Sequence, residues 1–189
     1  MATEPKPRFT PEEYLARERQ AESRNEYLHG EIFAMTGASR RHNRIVLNTA
    51  ISLDAQLRGK GCEVFASEMR VRVPAMDLYT YPDLAVACGE PRFEDGEVDT
   101  LLNPVLIVEV LSKSTESYDR GIKFSYYRAL PSLAEYLLLS QDRAHAEHFV
   151  REASDRWVLT ETDDPAKTLE LPSVGCTLAL SDVYDRVFS

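Results

Sequence analysis

Three stretches constrain this chain more than any other feature: YPDLAVAC (81–88), NPVLIVEVL (103–111) and AEYLLLS (134–140) are continuously apolar and rich in strand-forming residues. An exposed sheet alternates apolar and polar residues, so unbroken runs of this length read as central strands covered on both faces. Glu109 lies in the middle of the second run and Asp83 at the start of the first, directly after Pro82. An unpaired carboxylate in such a place costs several kcal/mol, ~3–5 when a buried pair is broken. Two acids on two core strands therefore ask for a shared cation, and a divalent metal held by oxygen ligands is the economical answer.

The remaining segments supply the cover for those strands. FTPEEYLARERQ carries Thr10 as a helix cap, Pro11 at the first helical position and Glu13 three residues after the cap, which together make a capping box. NEYLHGEIFAMTG reads as two short strands turning at His29-Gly30, where glycine admits the positive φ of a tight turn. In SRRHNRIVLNTAISLDAQLRGKG, Ile45, Thr49, Leu53 and Leu57 recur every four residues, predicting a long amphipathic helix from Ser39 to Gly59 or Gly61. CEVFASEMRVRV alternates like one strand with an exposed face. SYDRGIKFSYYRALPS has a helical period on Ile122, Tyr126 and Leu130, AEHFVREASDRWVLTE reads as a hairpin, and KTLELPSVGCTLALSDVYDRV as a strand and a short terminal turn. The order predicts a mixed α/β fold with a central sheet, and 189 residues with 43% hydrophobic and 28% charged content suit a single domain over 1–189.

No stretch approaches the roughly 18–20 apolar residues that cross a bilayer. The N-terminal MATEPKPRFTPEE has no apolar leader region, so a cytoplasmic protein without membrane partners is expected. Cys62, Cys88 and Cys176 are odd in number and far apart, and are expected to act as small apolar residues rather than as a disulfide or zinc framework. The net charge of −9 argues against indiscriminate binding to a polyanion. Its distribution is uneven: residues 36–75 hold seven basic side chains against three acids, whereas residues 76–100 hold seven acids and one arginine. A basic surface beside an acidic pocket is permitted by this pattern, although charge runs are more often solvated faces.

YPDLAVAC, NPVLIVEVLSKSTESYDRGIKFSYYRAL and LAEYLLLSQD, with the upstream NEYLHGEIFAMTGASRRHNRI, resemble the Uma2 family of the PD-(D/E)XK, restriction endonuclease-like superfamily. The resemblance runs from about Phe9 to Val150. It implies a restriction endonuclease-like core, a central mixed β-sheet flanked by helices, preceded by an N-terminal helix and a β-hairpin. It also implies a metal-dependent endonuclease acting on nucleic acid, with DNA the leading candidate, and using Mg2+ or Mn2+. Asp83 and Glu109 take the two metal-binding positions, and Glu31 resembles an additional acid from the N-terminal part, with Glu26 competing for that role. The superfamily pattern places lysine two residues after the second acid, where this chain has Leu111. Lys123 on the following helix is the natural substitute and Lys113 the second choice, while Asp119, four residues before Lys123, could instead pair with it.

Arg40, Arg41 and Arg44 at the start of the long helix are candidate contacts to backbone phosphates, and His42 is placed to touch substrate. Nucleases of this architecture commonly work as homodimers, and FSYYRALPSL offers an aromatic surface for self-association. Two alternatives stand beside the nuclease reading. One is a catalytically silent nucleic-acid-binding or regulatory protein of the same fold, which Leu111 and the acidic net charge favour. The other is a metal-dependent hydrolase of a small phosphate ester. Whether the basic residues from Arg40 to Arg72 form one face beside Asp83 and Glu109 separates them.

Overall fold

The computed structural model describes residues 7–189; the first six residues of MATEPKPRFTPEE lie outside that range. Helix α1 (Pro11–Glu18) starts where the sequence predicts. Thr10 Oγ1 accepts from the Glu13 backbone N–H at 3.2 Å, and Glu13 Oε2 accepts from the Thr10 N–H at 2.9 Å. Strands β1 (Asn25–Leu28) and β2 (Glu31–Ala34) form the expected hairpin, and both turn residues, His29 and Gly30, take positive φ. Helix α2 (Arg40–Leu57) is capped by Ser39 and buries Ile45, Thr49, Leu53 and Leu57, the face set out by their spacing.

The stretch after α2 departs from expectation. Instead of one alternating strand it forms β3 (Cys62–Ala66) and β4 (Arg70–Val73), which belong to different sheets. A turn at 67–69 redirects the chain, so alternation is continuous in sequence while the two halves pair with different partners. A 3-10 turn (Pro74–Met76) leads into β5 (Leu78–Thr80). Then come β6 (Leu84–Cys88), the short β7 (Thr100–Leu101) and β8 (Leu106–Leu111). A helical segment follows, made of α3 (Glu116–Tyr118), a π turn (Asp119–Lys123) and α4 (Phe124–Tyr127). Strands β9 (Glu135–Ser140), β10 (Ala146–Arg151) and β11 (Trp157–Thr162), the hairpin β12 (Thr168–Leu171) and β13 (Cys176–Ala179), and α5 (Leu180–Val183) complete the chain.

Six strands in the order β11-β10-β9-β8-β6-β3 make the central mixed sheet, in which β8 and β9 run parallel and the other neighbours antiparallel. A second sheet, β2-β1-β5-β4-β7, carries the N-terminal hairpin. Burial of β6, β8 and β9 on both faces explains their unbroken apolar character. Leu84, Val86, Leu106, Val108, Leu137 and Leu139 pack towards α2 and the C-terminal hairpin. Ala85, Ala87, Ile107, Leu111, Tyr136 and Leu138 pack towards the second sheet and α4.

Two further expectations are corrected. Cys62 and Cys88 stand directly opposite each other in the antiparallel β3–β6 register, with Cα atoms 4.0 Å apart, and are joined by a disulfide; Cys176 is the buried free thiol. Strand register, which sequence spacing does not disclose, brings together residues that are 26 apart in the chain. The run FSYYRALPSL offers less aromatic surface than expected, because Phe124, Tyr127, Leu130 and Leu133 are core residues. No described helix is long and apolar enough to cross a membrane.

Candidate active site

Continuing the β6–β8 pairing of Leu84 with Val108 by one residue sets Asp83 opposite Glu109. Asp83 sits just before β6, half-buried, and both its carboxylate oxygens are engaged. Oδ2 accepts from the Val110 N–H at 2.7 Å, and Oδ1 lies 2.7 Å from His42 Nε2. His42 belongs to the first turn of α2, so the helix that covers one face of the sheet also delivers an imidazole to its acid.

Glu109 points to the opposite side from Val108 and Val110, into the space between β8, the second sheet and the π turn, and is almost wholly buried. Its Oε1 is met by Lys123 Nζ at 2.9 Å and by the Tyr127 hydroxyl, which donates at 2.9 Å. Lys123 Nζ also lies 3.3 Å from Glu26 Oε1 and 3.8 Å from Asp119 Oδ1. One ammonium thus serves three carboxylates drawn from β1, β8 and the π turn. Thr80 on β5 donates to Glu26, fixing the acid that the second sheet contributes.

The π turn is what makes this possible. In a π turn the hydrogen bonds run i to i+5 and the helix locally widens, a feature found often at functional sites. Here Asp119, Lys123 and Tyr127 all face inward, and Ile122 is turned out to solvent, 55% exposed. Of the apolar period on Ile122, Tyr126 and Leu130, Leu130 is core and Tyr126 packs against it, but Ile122 does not face inward. The signal that marks the inward side is a polar one, Asp-Lys-Tyr at spacing four.

Burial dominates the electrostatics. It pushes the Glu109 carboxyl up to about 8, against the pull of the Lys123 ammonium and with help from the neighbouring Asp119 and Asp83 charges. Asp119 is raised for the same first reason, burial, again opposed by Lys123. Lys123 is itself held well above the usual lysine range: desolvation would lower it, but Glu109, Tyr127, Glu26 and Asp119 together outweigh that. The ammonium stays charged and the carboxyl beside it is the group that resists ionisation.

The other expected residues are distributed differently. Glu31 is on the same face of the hairpin as Glu26, opposite Leu28 and nearer the turn; the acid within reach of Lys123 is Glu26. Lys113 is exposed in the loop after β8. Arg40 donates to the backbone carbonyls of Arg186 (3.3 Å) and Ser189 (3.2 Å), and the Arg41 guanidinium lies over the Phe188 ring. Further along, Arg58 pairs with Asp54, Lys60 donates to the Gly175 carbonyl, buried Arg70 meets Asp99, and Arg72 meets Glu94. The basic residues from Arg40 to Arg72 are therefore scattered and mostly occupied, not gathered into one groove; among the described residues Arg44 is the one with no such partner.

Residues 11–181 match the Uma2 family, described as "Putative restriction endonuclease". The chain belongs to the Uma2 family. Two Synechocystis proteins, both described as uncharacterized, are similar to it. The protein sll1609 is 40% identical over 153 residues, covering 81% of this chain and 86% of that protein. The protein slr1290 is 34% identical over 180 residues, covering 95% and 93%. A crystal structure from Anabaena variabilis, described as "a putative nuclease belonging to DUF820", superimposes with a TM-score of 0.75 over 95% of this chain and 99% of that one, at 20% identity. At that identity the likeness speaks to the fold alone, a mixed α/β architecture shared over almost the whole of both chains, in a family described as "Putative restriction endonuclease".

The donor set also bears on a metal. Asp83, Glu109 and Glu31 do not bring three ligand atoms within 4.8 Å of one another. Asp83 and Glu109 nevertheless fit a divalent ion of the Mg2+ class, which needs only one or two carboxylates and keeps several waters. Burial raises the Glu109 carboxyl even with the Lys123 ammonium beside it.

Proposed function

We propose that this protein is a metal-dependent phosphodiester hydrolase acting on nucleic acid, with Asp83, Glu109 and Lys123 as its working residues. The observation that carries this reading is the 2.9 Å contact between Lys123 Nζ and Glu109 Oε1 on the strand beside Asp83. It recreates the acid, acid and lysine of the PD-(D/E)XK pattern even though Leu111 occupies the usual lysine position. Asp83 and Glu109 would hold Mg2+ or Mn2+, with an acid from the N-terminal hairpin, Glu26 by its geometry or Glu31 on the same face, as the third contributor. When bound, such an ion polarises a phosphoryl oxygen and activates water.

The chain's own residues do the rest. Lys123 presents a permanently charged ammonium where negative charge grows on the phosphoryl group, in a site dry enough for that charge to count. Glu26 fixes its position from one side and the Tyr127 ring, its centroid 5.9 Å from Nζ, flanks it from another, while the Tyr127 hydroxyl holds Glu109. Asp83 and His42 are the accessible members, each 16% exposed at the side chain, so substrate approaches from their side while Glu109 and Lys123 stand behind. The 2.7 Å contact holds the His42 imidazole where it can share a proton with an incoming oxygen. Arg44 is the remaining candidate for a phosphate contact beside it. A cytoplasmic location and action as a homodimer belong to the same proposal.

A second reading is favoured by one observation, the dispersal of the Arg40 to Arg72 side chains among internal partners, which leaves little basic surface for a duplex. It takes the substrate to be a small phosphate ester. Calorimetric titration of Mn2+ into the wild type and Asp83→Ala, with supercoiled plasmid and bis(p-nitrophenyl) phosphate followed on the same samples, tests both. Metal binding and plasmid cleavage that vanish together in the variant support the nuclease. Turnover of the small ester without plasmid cleavage selects the second reading, and absence of Mn2+ binding in the wild type refutes both.

A further inference from the structure

Strands β10 and β11 pair Glu147 directly with Glu161, and one step further in the same register His145 lies opposite Asp163. Residues two apart on a strand share a face, so these four side chains form a square on one face of an edge hairpin. Like charges directly opposite on antiparallel strands repel, and nothing in hairpin formation requires them there. Glu147 is almost wholly buried, which makes its charge costlier still. Its Oε1 takes a hydrogen bond from Arg120 Nε at 2.8 Å; Glu161 has no hydrogen bond or ion pair among the described residues.

The buried imidazole is oriented. His145 Nδ1 is 2.9 Å from Asp163 Oδ1, whose charge is also met by Arg143 at 2.6 Å, and Nε2 points at Glu147 Oε1 from 3.3 Å. If Nδ1–H is donated to Asp163, Nε2 presents a lone pair to a carboxylate oxygen: two acceptors face each other with a cation-sized gap between them. Carboxylate behind imidazole is also the arrangement that steers histidine onto a metal. The ligand atoms of His145, Glu147 and Glu161 all lie within 4.8 Å of one another.

We propose that His145, Glu147 and Glu161 form a metal site of their own, with Asp163 orienting the histidine, for a divalent ion of the Zn2+ class. One imidazole nitrogen and two carboxylates match the nitrogen and oxygen ligands that Zn2+ takes, and leave a position for water. The imidazole selects against Mg2+ and Ca2+, which prefer oxygen alone. Two carboxylates neutralise the ion, and Glu161, being exposed, gives it a way in. The ion would pin edge strand β11 to β10. This site stands independently of the function proposed above, since it shares no residue with Asp83, Glu109 and Lys123.

A proton between His145 and Glu147 would fill the gap just as well, and Glu161 separates the two cases: a proton bridge has no use for it, a metal does. The experiment is calorimetric titration of Zn2+ alone into the full chain, run on the wild type, Asp83→Asn, Glu161→Gln and Asp163→Asn, with Co2+ absorption as a second readout. The expected result is a one-equivalent event kept in Asp83→Asn, weakened at least tenfold in Glu161→Gln, and weakened about 10–100-fold in Asp163→Asn, the usual effect of losing such an orienting partner. Co2+ d–d bands should be present in Asp83→Asn and absent in Glu161→Gln. Zn2+ binding that is unchanged in Glu161→Gln, lost in Asp83→Asn, or missing from the wild type overturns the proposal.

Discussion

Replacing Lys123 by methionine keeps most of the length of the side chain and removes the one cation shared by Glu109, Glu26 and Asp119, whose oxygens lie 2.9, 3.3 and 3.8 Å from its Nζ. Stripping the partner from a buried pair costs about 3–5 kcal/mol while the stranded acids are ionised. The cost should depend on pH in a defined direction. In the wild type the Glu109 carboxyl titrates near 8 rather than at its ordinary 4.5, so between those values the native state holds a proton that the unfolded chain has released. Stability therefore falls as pH rises through that window and levels off above it. Lys123 is the influence that holds the Glu109 value down, so in Lys123→Met the window extends upward past 8. The gap between the two proteins should be smallest below pH 6. It should widen by about 1–2 kcal/mol between pH 7 and pH 9, since one proton is worth about 1.4 kcal/mol per pH unit. Urea unfolding followed by circular dichroism at pH 5, 7 and 9 measures it, and Lys123→Met/Glu109→Gln is the control in which the extra slope disappears. A gap that stays constant from pH 5 to pH 9 would refute the electrostatic account of the pocket.

Tyr127→Phe removes the hydroxyl that donates to Glu109 and should cost about 1–3 kcal/mol in the same assay, because a buried acceptor loses a partner. Under oxidising conditions, thiol titration of the denatured chain should find one free cysteine, rising to three on reduction; closing a loop of 26 residues predicts that reduction costs about 3–4 kcal/mol. Arg40→Ala should release the last residues, seen as faster carboxypeptidase trimming from Ser189, since the guanidinium is bound to the Arg186 and Ser189 carbonyls, and should leave the proposed phosphodiester hydrolysis unchanged.

Where one local physical rule decides an element, the sequence disclosed it: the Thr10 capping box, the His29-Gly30 turn, the four-residue period of α2 and the three double-buried strands all stand where pattern puts them. What depends on pairing in space was not legible. The Cys62–Cys88 bridge follows from the β3–β6 register, and the split of CEVFASEMRVRV between two sheets follows from which partners were available. The same division runs through the candidate site. Asp83 and Glu109 were visible as charges out of place on apolar strands. The preference for Glu26 over Glu31 and the contribution of Thr80 rest on how a second sheet docks, and the inward turn of Lys123 and Tyr127 rests on a π turn that no apolar period announces.

On the proposed reading, Leu111 accounts for a working lysine that stands on the helical segment and not on β8. Side chains two apart on β8 share a face, so residue 111 points to the same side as Glu109, and there it packs with Ile107, Phe124 and Tyr136. Leucine at 111 gives that side of the sheet a continuous apolar patch on which the helical segment can sit, whereas a lysine there would have to thread an ammonium beneath it. Once the helical segment sits on leucine, its inward residue nearest Glu109 can carry the charge instead, and the π turn rotates Lys123 into that place while sending Ile122 outward. On the proposed reading the cation keeps a position in space beside Glu109 and not a position along β8. Glu109 is constrained by β8, while the partner of its charge is constrained only by reach, which is why a pattern written along one strand finds the acid and misses the lysine.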